Sequence, residues 1–382
     1  MTTAISATLS DPTNRRILAV SEDRIAGFHR DPFAEIAVRA GLDVETVRLH
    51  IRAMLEAGTI RRVRQTLLAT NLAPGALAAW NVPAERLHAA FDDLFANDPF
   101  SGHVVIRSGE PGSPGAEYRL WTTLKVPQGF SLERHADYLA RRIGAAGYRL
   151  MRAKALFALG VGHTRRRGLE PGSRSETPGR VMYPTVTALT PREWQVLDIL
   201  KREFRTDEVT PDPWRARAAE AGETTDGFCE VAAVLSAKGV IGRFSTFLEH
   251  VKATAGGEQA TRYNALFHWA VPPGEEVAAG SEVGRHDVIT HAYWREAGPD
   301  FRNVNVMAVA HGMEKETVAA HKAAIDAHLA EAGVTVHYTN VFWGGRSEIK
   351  PSEVMPGAYV RWCHENAIDP ATMQENEMGE TR

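Results

Sequence analysis

The stretch DPFAEIAVRAGLDVETVRLHIRAMLEAGTIRRV, from Asp31 to Val63, returns as DPWRARAAEAGETTDGFCEVAAVLSAKGVIGRF, from Asp212 to Phe244. The copies keep one register at a separation of 181 residues, pairing Pro32 with Pro213, Gly41 with Gly222, Gly58 with Gly239, Ile60 with Ile241 and Arg62 with Arg243. Each copy predicts a helix, a tight Ala-Gly turn, a second helix, a glycine stop and a strand. Val44, Val47, Ile51 and Leu55 fall at helical spacing, and Gly58 sits where a left-handed residue closes a helix. With NRRILAV and REWQVLDILKREF upstream as first helices, each copy reads as a helix-turn-helix followed by its wing.

Working outward, both copies continue into one further pattern. ALAAWNVP ends at Pro83 and ALFHWAVP at Pro272, pairing Trp80 with Trp269. After the first come a helix (AERLHAAFDDLFAN), two strands (GHVVIR, EYRLWTTLKV), a helix (LERHADYLARRIGAAG) and a strand (YRLMRAKALFAL), the order βαββαβ. The second repeats it through VITHAYWR, RNVNVMAVA, EKETVAAHKAAIDAHLAEAG and VTVHYTNVFW, its first helix shortened around PPGEEVAAGSEVG. Apolar-polar alternation predicts antiparallel strands with helices on one face. The fold class is therefore α+β, a tandem duplication of a winged helix-turn-helix plus a ferredoxin-like domain. Consecutive domains are expected over 1–70, 71–165, 187–250 and 251–345, with an exposed Gly, Pro and Ser-rich linker at 166–186 and a loosely wrapped tail at 346–382.

Composition narrows the function. At 44% hydrophobic and 24% charged residues the 382-residue chain is neither disordered nor a bundle of membrane spans. The N-terminal stretch lacks a basic start followed by an apolar core, so a cytoplasmic location is expected. Cys229 and Cys363 are too few for a disulfide framework or a cysteine zinc site. A net charge of −3 counts against nucleic acid, although a basic patch can hide in a neutral total. Fifteen histidines matter for proton transfer or iron ligation near neutral pH.

A winged helix followed by βαββαβ resembles the Lrp/AsnC family of regulators, which pair their sheets face to face and hold ligands at that interface. The second half further resembles the siroheme decarboxylases of heme d1 and alternative heme biosynthesis, on three stretches: GRFSTFLEH (Gly242 to His250), HAYWREAGPD (His291 to Asp300), with its His-x-Tyr-x-Arg signature, and NVNVMAVAHG (Asn303 to Gly312). The first half departs from the pattern. His103 and Arg107 align with His291 and Arg295, but Val105 stands for Tyr293, Gln128 is assigned the place of His311, and Ala69 and Thr70 replace Glu249 and His250. A fused two-unit form follows, its second half carrying more of the chemistry.

The resemblance implies a substrate, siroheme, whose iron isobacteriochlorin carries eight carboxylates, and a reaction that releases two acetate carboxyls as carbon dioxide to give 12,18-didecarboxysiroheme. No redox change is involved and the iron arrives with the substrate, so neither a cofactor nor a metal site of the protein is expected. Arginine suits carboxylates through its planar fork; Arg295, Arg243, Arg62 and Arg107 are the candidates, with His103 and His250 beside them. The electron pair left by carbon dioxide needs a proton near pH 7, a task for His291 and His311, with Tyr293 orienting or donating. On an alternating strand His291, Tyr293 and Arg295 share one face, although such a stripe on an open sheet can equally be the solvated face. His250 can be a plain loop residue. Trp80 and Trp269 read as core anchors, Arg165, Arg166 and Arg167 as a solvated run, and His135, His321 and His328 as surface residues of helices.

Two rival functions stand beside this. A transcriptional regulator would read DNA with Arg48, His50 and Arg52 of the first recognition helix. The second offers Asp226, Glu230 and only Lys238, an asymmetry that disfavours a two-fold reader. A tetrapyrrole sensor would ligate iron through His291 or His311. The expected partners are siroheme or a related tetrapyrrole and, within the chain, an internal pseudo-dimer, a further homodimer being open; no membrane is expected.

Overall fold

A computed structural model describes residues 5–160, 166, 168–248 and 261–375. Among them eleven strands follow in chain order: β1 (Ile25–Ala26), β2 (Ile60–Leu67), β3 (Gly75–Asn81), β4 (Ser101–Ser108), β5 (Leu120–Lys125), β6 (Gly147–Leu159), β7 (Ile241–Leu248), β8 (Tyr263–Ala270), β9 (Ile289–Arg295), β10 (Val306–Gly312) and β11 (Tyr338–Ile349). Contacts divide the chain into two units, each drawing segments from both copies. One comprises residues 1–68, 160–169 and 187–262; the other comprises 69–159, 170–186 and 263–382. The pieces expected as consecutive domains are thus interleaved.

In the first unit capping residues set the helices. The Asp31 carboxylate accepts from the Phe33 and Ala34 amides with Pro32 in the first turn, and Gly41 at φ +62° ends helix Pro32–Ala40. Asp43 caps helix Val44–Glu56. The second copy holds helices Pro191–Leu200, Arg215–Glu220 and Thr225–Ala237. β2 and β7, the strands after the two glycine stops, do not fold back as separate hairpins. They pair antiparallel with each other, Gln65 opposite Phe244, and β1 joins the outer edge of β7. Phe33, Phe204, Trp214 and Phe244, from both copies, interlock edge to face with centroids 5.1 to 6.0 Å apart.

In the second unit each copy forms a four-stranded sheet with two helices. The strand order is β6-β3-β5-β4 in one copy and β11-β8-β10-β9 in the other, the same permutation. The flanking helices are Leu87–Asn97 and Leu132–Ile143, then Glu276–Gly284 and Lys315–Glu331. Each sheet leaves two edges with unmet amides and carbonyls, and unpaired edges invite partners. Here β4 pairs with β11 and β6 with β9, closing an eight-stranded antiparallel barrel. The sheets, expected simply to face each other, are therefore joined by hydrogen bonds along both edges. Three cores result. Trp80, Phe91, Leu120 and Leu139 pack the first copy's helices onto the outside of its sheet. Phe267, Trp269, Val306 and Ile325 do the same in the second. Val105, Trp121, Met151, Leu266, Met307 and Phe342 fill the inside.

Three expectations differ from the structure. Residues 170–186 are not a free linker: the Ser175 amide donates to the Arg285 carbonyl at 3.0 Å, Gly179 to Ser281 at 2.9 Å, and Met182 exchanges bonds with Leu156. Pro and Gly set local backbone freedom, not whether a neighbour satisfies the amides. Nor is 346–375 loose, since β11 runs to Ile349 and helix Pro356–Glu365 buries Tyr359, Trp362 and Cys363 against the first copy. Beneath it His135, expected on the surface, is fully buried between the Tyr359 hydroxyl at 3.0 Å and Asp98 at 3.3 Å. His321 and His328 are buried too, on the inner side of their helix. No helix among the described residues is long and apolar enough to cross a membrane.

Candidate active site

Strand alternation decides what lines the barrel. Arg107, Val105 and His103 on β4 face inward, as do Trp121, Thr123 and Lys125 on β5 and Asn264, Leu266 and His268 on β8. So do His291, Tyr293 and Arg295 on β9 and Met307, Val309 and His311 on β10, each set fixed by its cross-strand register. One end of the interior is closed: Phe301 lies against Trp121 and Tyr118, and Asp300 accepts from the Tyr118 hydroxyl at 2.6 Å and Arg149 Nε at 2.8 Å. Toward the other end, where β3, β4, β8 and β9 begin, the lining turns polar and half-buried. His103, Thr123, Lys125, Asn264, His291, Tyr293 and His311 stand there.

A chain of polar contacts joins the copies within this lining. Arg107 Nη1 donates to Asn264 Oδ1 at 3.0 Å, and Asn264 Nδ2 donates to His311 Nε2 at 3.0 Å. His311 Nδ1 lies 3.5 Å from Thr290 Oγ1, which also meets His291 Nδ1 at 3.1 Å and donates to the Val309 carbonyl. With its oxygen held by Arg107, the Asn264 amide faces His311 Nε2 with its nitrogen, which can only donate. His291 and Tyr293 stack 6.2 Å apart, and the Arg295 guanidinium lies 4.4 Å from the Tyr293 ring centroid. His103 Nε2 meets Ser347 Oγ at 2.8 Å.

The electrostatics are one-sided. Inward positions of the eight strands carry Arg107, Arg149, Lys125 and Arg295 and no Asp or Glu, and among the described residues only Arg149, at the closed end, has a carboxylate partner. Burial pushes Arg107 down to about 10. Burial and the Arg295 charge push Lys125 down to about 7. Arg295 is lowered by burial against an opposing contribution from Tyr293. His268, deeper in, is pushed to about 3 by burial and then by Arg107 and Lys322, so it stays neutral among Trp121 and Phe342.

His291, His311, Tyr293, Arg295, Arg107 and His103 thus share one inward surface. Arg62 and Arg243 belong to the first unit, where Arg62 Nη1 lies 3.2 Å from Glu203 and Arg243 Nε donates to the Glu22 carbonyl at 3.4 Å. His250 lies outside the described residues. Lys125 and Asn264 escape the sequence reading. Gly75 opposes Lys125 as Asn264 opposes His311, so Lys125, not Gln128, occupies the His311 position. Gln128 lies beyond β5 and donates to the Leu72 carbonyl at 2.8 Å. Unequal connections between the strands break the constant separation of the copies, but the last inward residue of each third strand was a usable signal.

The DNA-reading side chains are also otherwise engaged. Arg48 is buried between Asp31, at 2.6 Å, and Glu45; His50 Nδ1 meets Asn14 at 2.8 Å; Arg52 donates to the Val209 carbonyl.

Comparison with known proteins follows this geometry. The model of the AsnC-like ligand binding domain matches residues 73–158 and 261–340, one match per βαββαβ copy. The siroheme decarboxylase NirH subunit of Paracoccus pantotrophus is 32% identical over 120 residues, 31% of this chain and 71% of that protein. The chain belongs to the siroheme decarboxylase family. The family's beta subunit from Desulfovibrio desulfuricans (strain ATCC 27774 / DSM 6949 / MB) is 30% identical over 113 residues, covering 29% of this chain and 65% of that subunit. Two crystal structures of the family's NirDL, one in co-complex with an iron-uroporphyrin III analogue, superpose over 92% of this chain and 96% and 98% of theirs. Their TM-scores are 0.64 and 0.63 at 20% and 19% identity, so the fold is shared over that span; with the AsnC-like match it is an α+β Lrp/AsnC-like fold.

Proposed function

We propose that this chain decarboxylates siroheme, releasing two acetate carboxyls as carbon dioxide and leaving methyl groups. One observation carries the reading: Arg107, Arg295 and the half-buried Lys125 line the barrel interior with no carboxylate partner among the described residues. Each buried charge without a counter-ion costs several kcal/mol, and a macrocycle with eight carboxylates supplies the missing anions. Arg107 and Arg295 bind carboxylates, with His103 adding a further polar contact. Bidentate capture by Arg107 releases Asn264, whose amide then turns its oxygen toward His311 and lets that ring take up a proton. His311 and His291, with Tyr293 between His291 and Arg295, supply acid to the carbon that loses carbon dioxide. No cofactor is needed beyond the iron carried by the substrate.

On the same reading the first unit is a pair of winged helix-turn-helices whose recognition residues have passed to structural use, and the two copies of the chain act as an internal pseudo-dimer. The engagement of Arg48, His50 and Arg52 within the fold is what favours an enzyme over a DNA reader. Arg62, Arg243 and His250 remain candidate substrate contacts. The test is anaerobic incubation of the purified chain with siroheme. The expected product is lighter by two carbon dioxide units, and recovery of unchanged siroheme from folded protein rejects the activity.

A further inference from the structure

The two copies have exchanged a matched pair of residues at one place in the barrel. In the second copy Asn264 opposes His311 and donates to it. In the first copy the same positions hold Gly75 and Lys125. The glycine is what admits the longer side chain: a Cβ on Gly75 would come within 2.5 Å of Lys125 Cδ and 2.9 Å of its Nζ. The lysine therefore lies across the glycine backbone on the inner wall. It is half-buried and has no hydrogen-bond or ion-pair partner among the described residues. Burial first, and then the neighbouring Arg295 charge, disfavour the ammonium and favour giving up a proton.

The geometry points to Lys125 as a proton donor for one of the two decarboxylations, the counterpart of His311 in the other. This rests on the siroheme reading above and assigns the two losses to two chemically different acids. In the step served by Lys125, the bond between an acetate methylene and its carboxylate carbon breaks and carbon dioxide leaves. The electron pair stays on the methylene carbon, spread into the macrocycle. A proton from Nζ forms the new C–H bond of the methyl group, leaving a neutral amine that solvent reprotonates, and the iron keeps its oxidation state. A lysine with a proton affinity near neutrality is a stronger acid for this transfer than an unperturbed one.

The experiment follows siroheme turnover by mass spectrometry in wild type and in Lys125→Gln, Lys125→Arg and Lys125→His, with siroheme binding followed by its visible absorption. Lys125→Gln and Lys125→Arg are expected to stop at a product one carbon dioxide unit lighter, the second loss slowed about 10²- to 10⁴-fold, while Lys125→Arg binds siroheme as wild type does. Lys125→His restores the second loss, with a changed pH profile. Completion of both losses by Lys125→Gln at the wild-type rate overturns the assignment. So does an equal slowing of both losses in Lys125→Gln that Lys125→Arg repairs, since the lysine then only binds. Wild type that leaves siroheme untouched overturns the activity itself, a failure seen without any variant.

Discussion

Lys125 and Arg107 show how a residue prepared for a polyanion weakens the protein that lacks it. The folded chain holds the Lys125 proton only to about pH 7, against an ordinary 10.5. Between these values the unfolded chain binds the proton and the folded one does not, so substrate-free stability rises with pH across that window. Lys125→Met is therefore expected to be more stable than wild type by about 1–2 kcal/mol near pH 7, after discounting for partial exposure, with the gap closing toward pH 10. Urea midpoints at several pH values test this, and a gap independent of pH refutes it. Arg107, buried with its Nε unpaired, follows the same logic. Arg107→Met should raise the substrate-free melting temperature by about 2–4 °C while weakening siroheme binding at least about tenfold. Unchanged binding would remove Arg107 from the site.

At the scale of elements, close approaches fix how the barrel closes. β6 shifts register against β9 between Leu156 and Ala158, and Ala155 and Phe157 join the second copy's outer core. The Phe157 ring lies over Gly280 in helix Glu276–Gly284, where an added Cβ would meet it at 2.0 to 2.4 Å. Glycine to alanine inside a helix usually stabilises by up to about 1 kcal/mol, yet Gly280→Ala should destabilise by about 1–3 kcal/mol because a buried ring must move. Chemical denaturation gives the sign. Helix Pro356–Glu365 is held similarly: Trp362 packs on Phe100 and donates from its indole to the Asn97 carbonyl at 3.2 Å. Trp362→Ala is expected to cost about 3–5 kcal/mol by the same measurement, and a cost under 1 kcal/mol would mean that the helix merely rests there.

At the scale of the whole molecule, neither copy is complete alone. Cutting the chain between the copies leaves β4 and β6 of one without β11 and β9 of the other, and β2 without β7. Long unpaired edges favour aggregation, so residues 1–165 expressed alone should be largely insoluble. Co-expression with residues 166–382 should yield a soluble one-to-one complex on size exclusion, and a stable monomer of either half would contradict the closed barrel.

The repeat from Asp31 and Asp212, the paired tryptophans and the alternating strands determined the duplicated α+β architecture from sequence alone, because periodicity and glycine stops are local properties of the chain. The same alternation placed His291, Tyr293 and Arg295 on one face. Whether that face met solvent or a lumen depended on edges pairing across more than a hundred residues, and only the tertiary structure could decide it. Lys125 and Asn264 emerged the same way, since their equivalence with His311 and Gly75 is a matter of hydrogen-bond register, which loops of unequal length conceal. Burial then gave the site its character, because a half-buried lysine beside Arg295 has a proton affinity that no linear motif encodes.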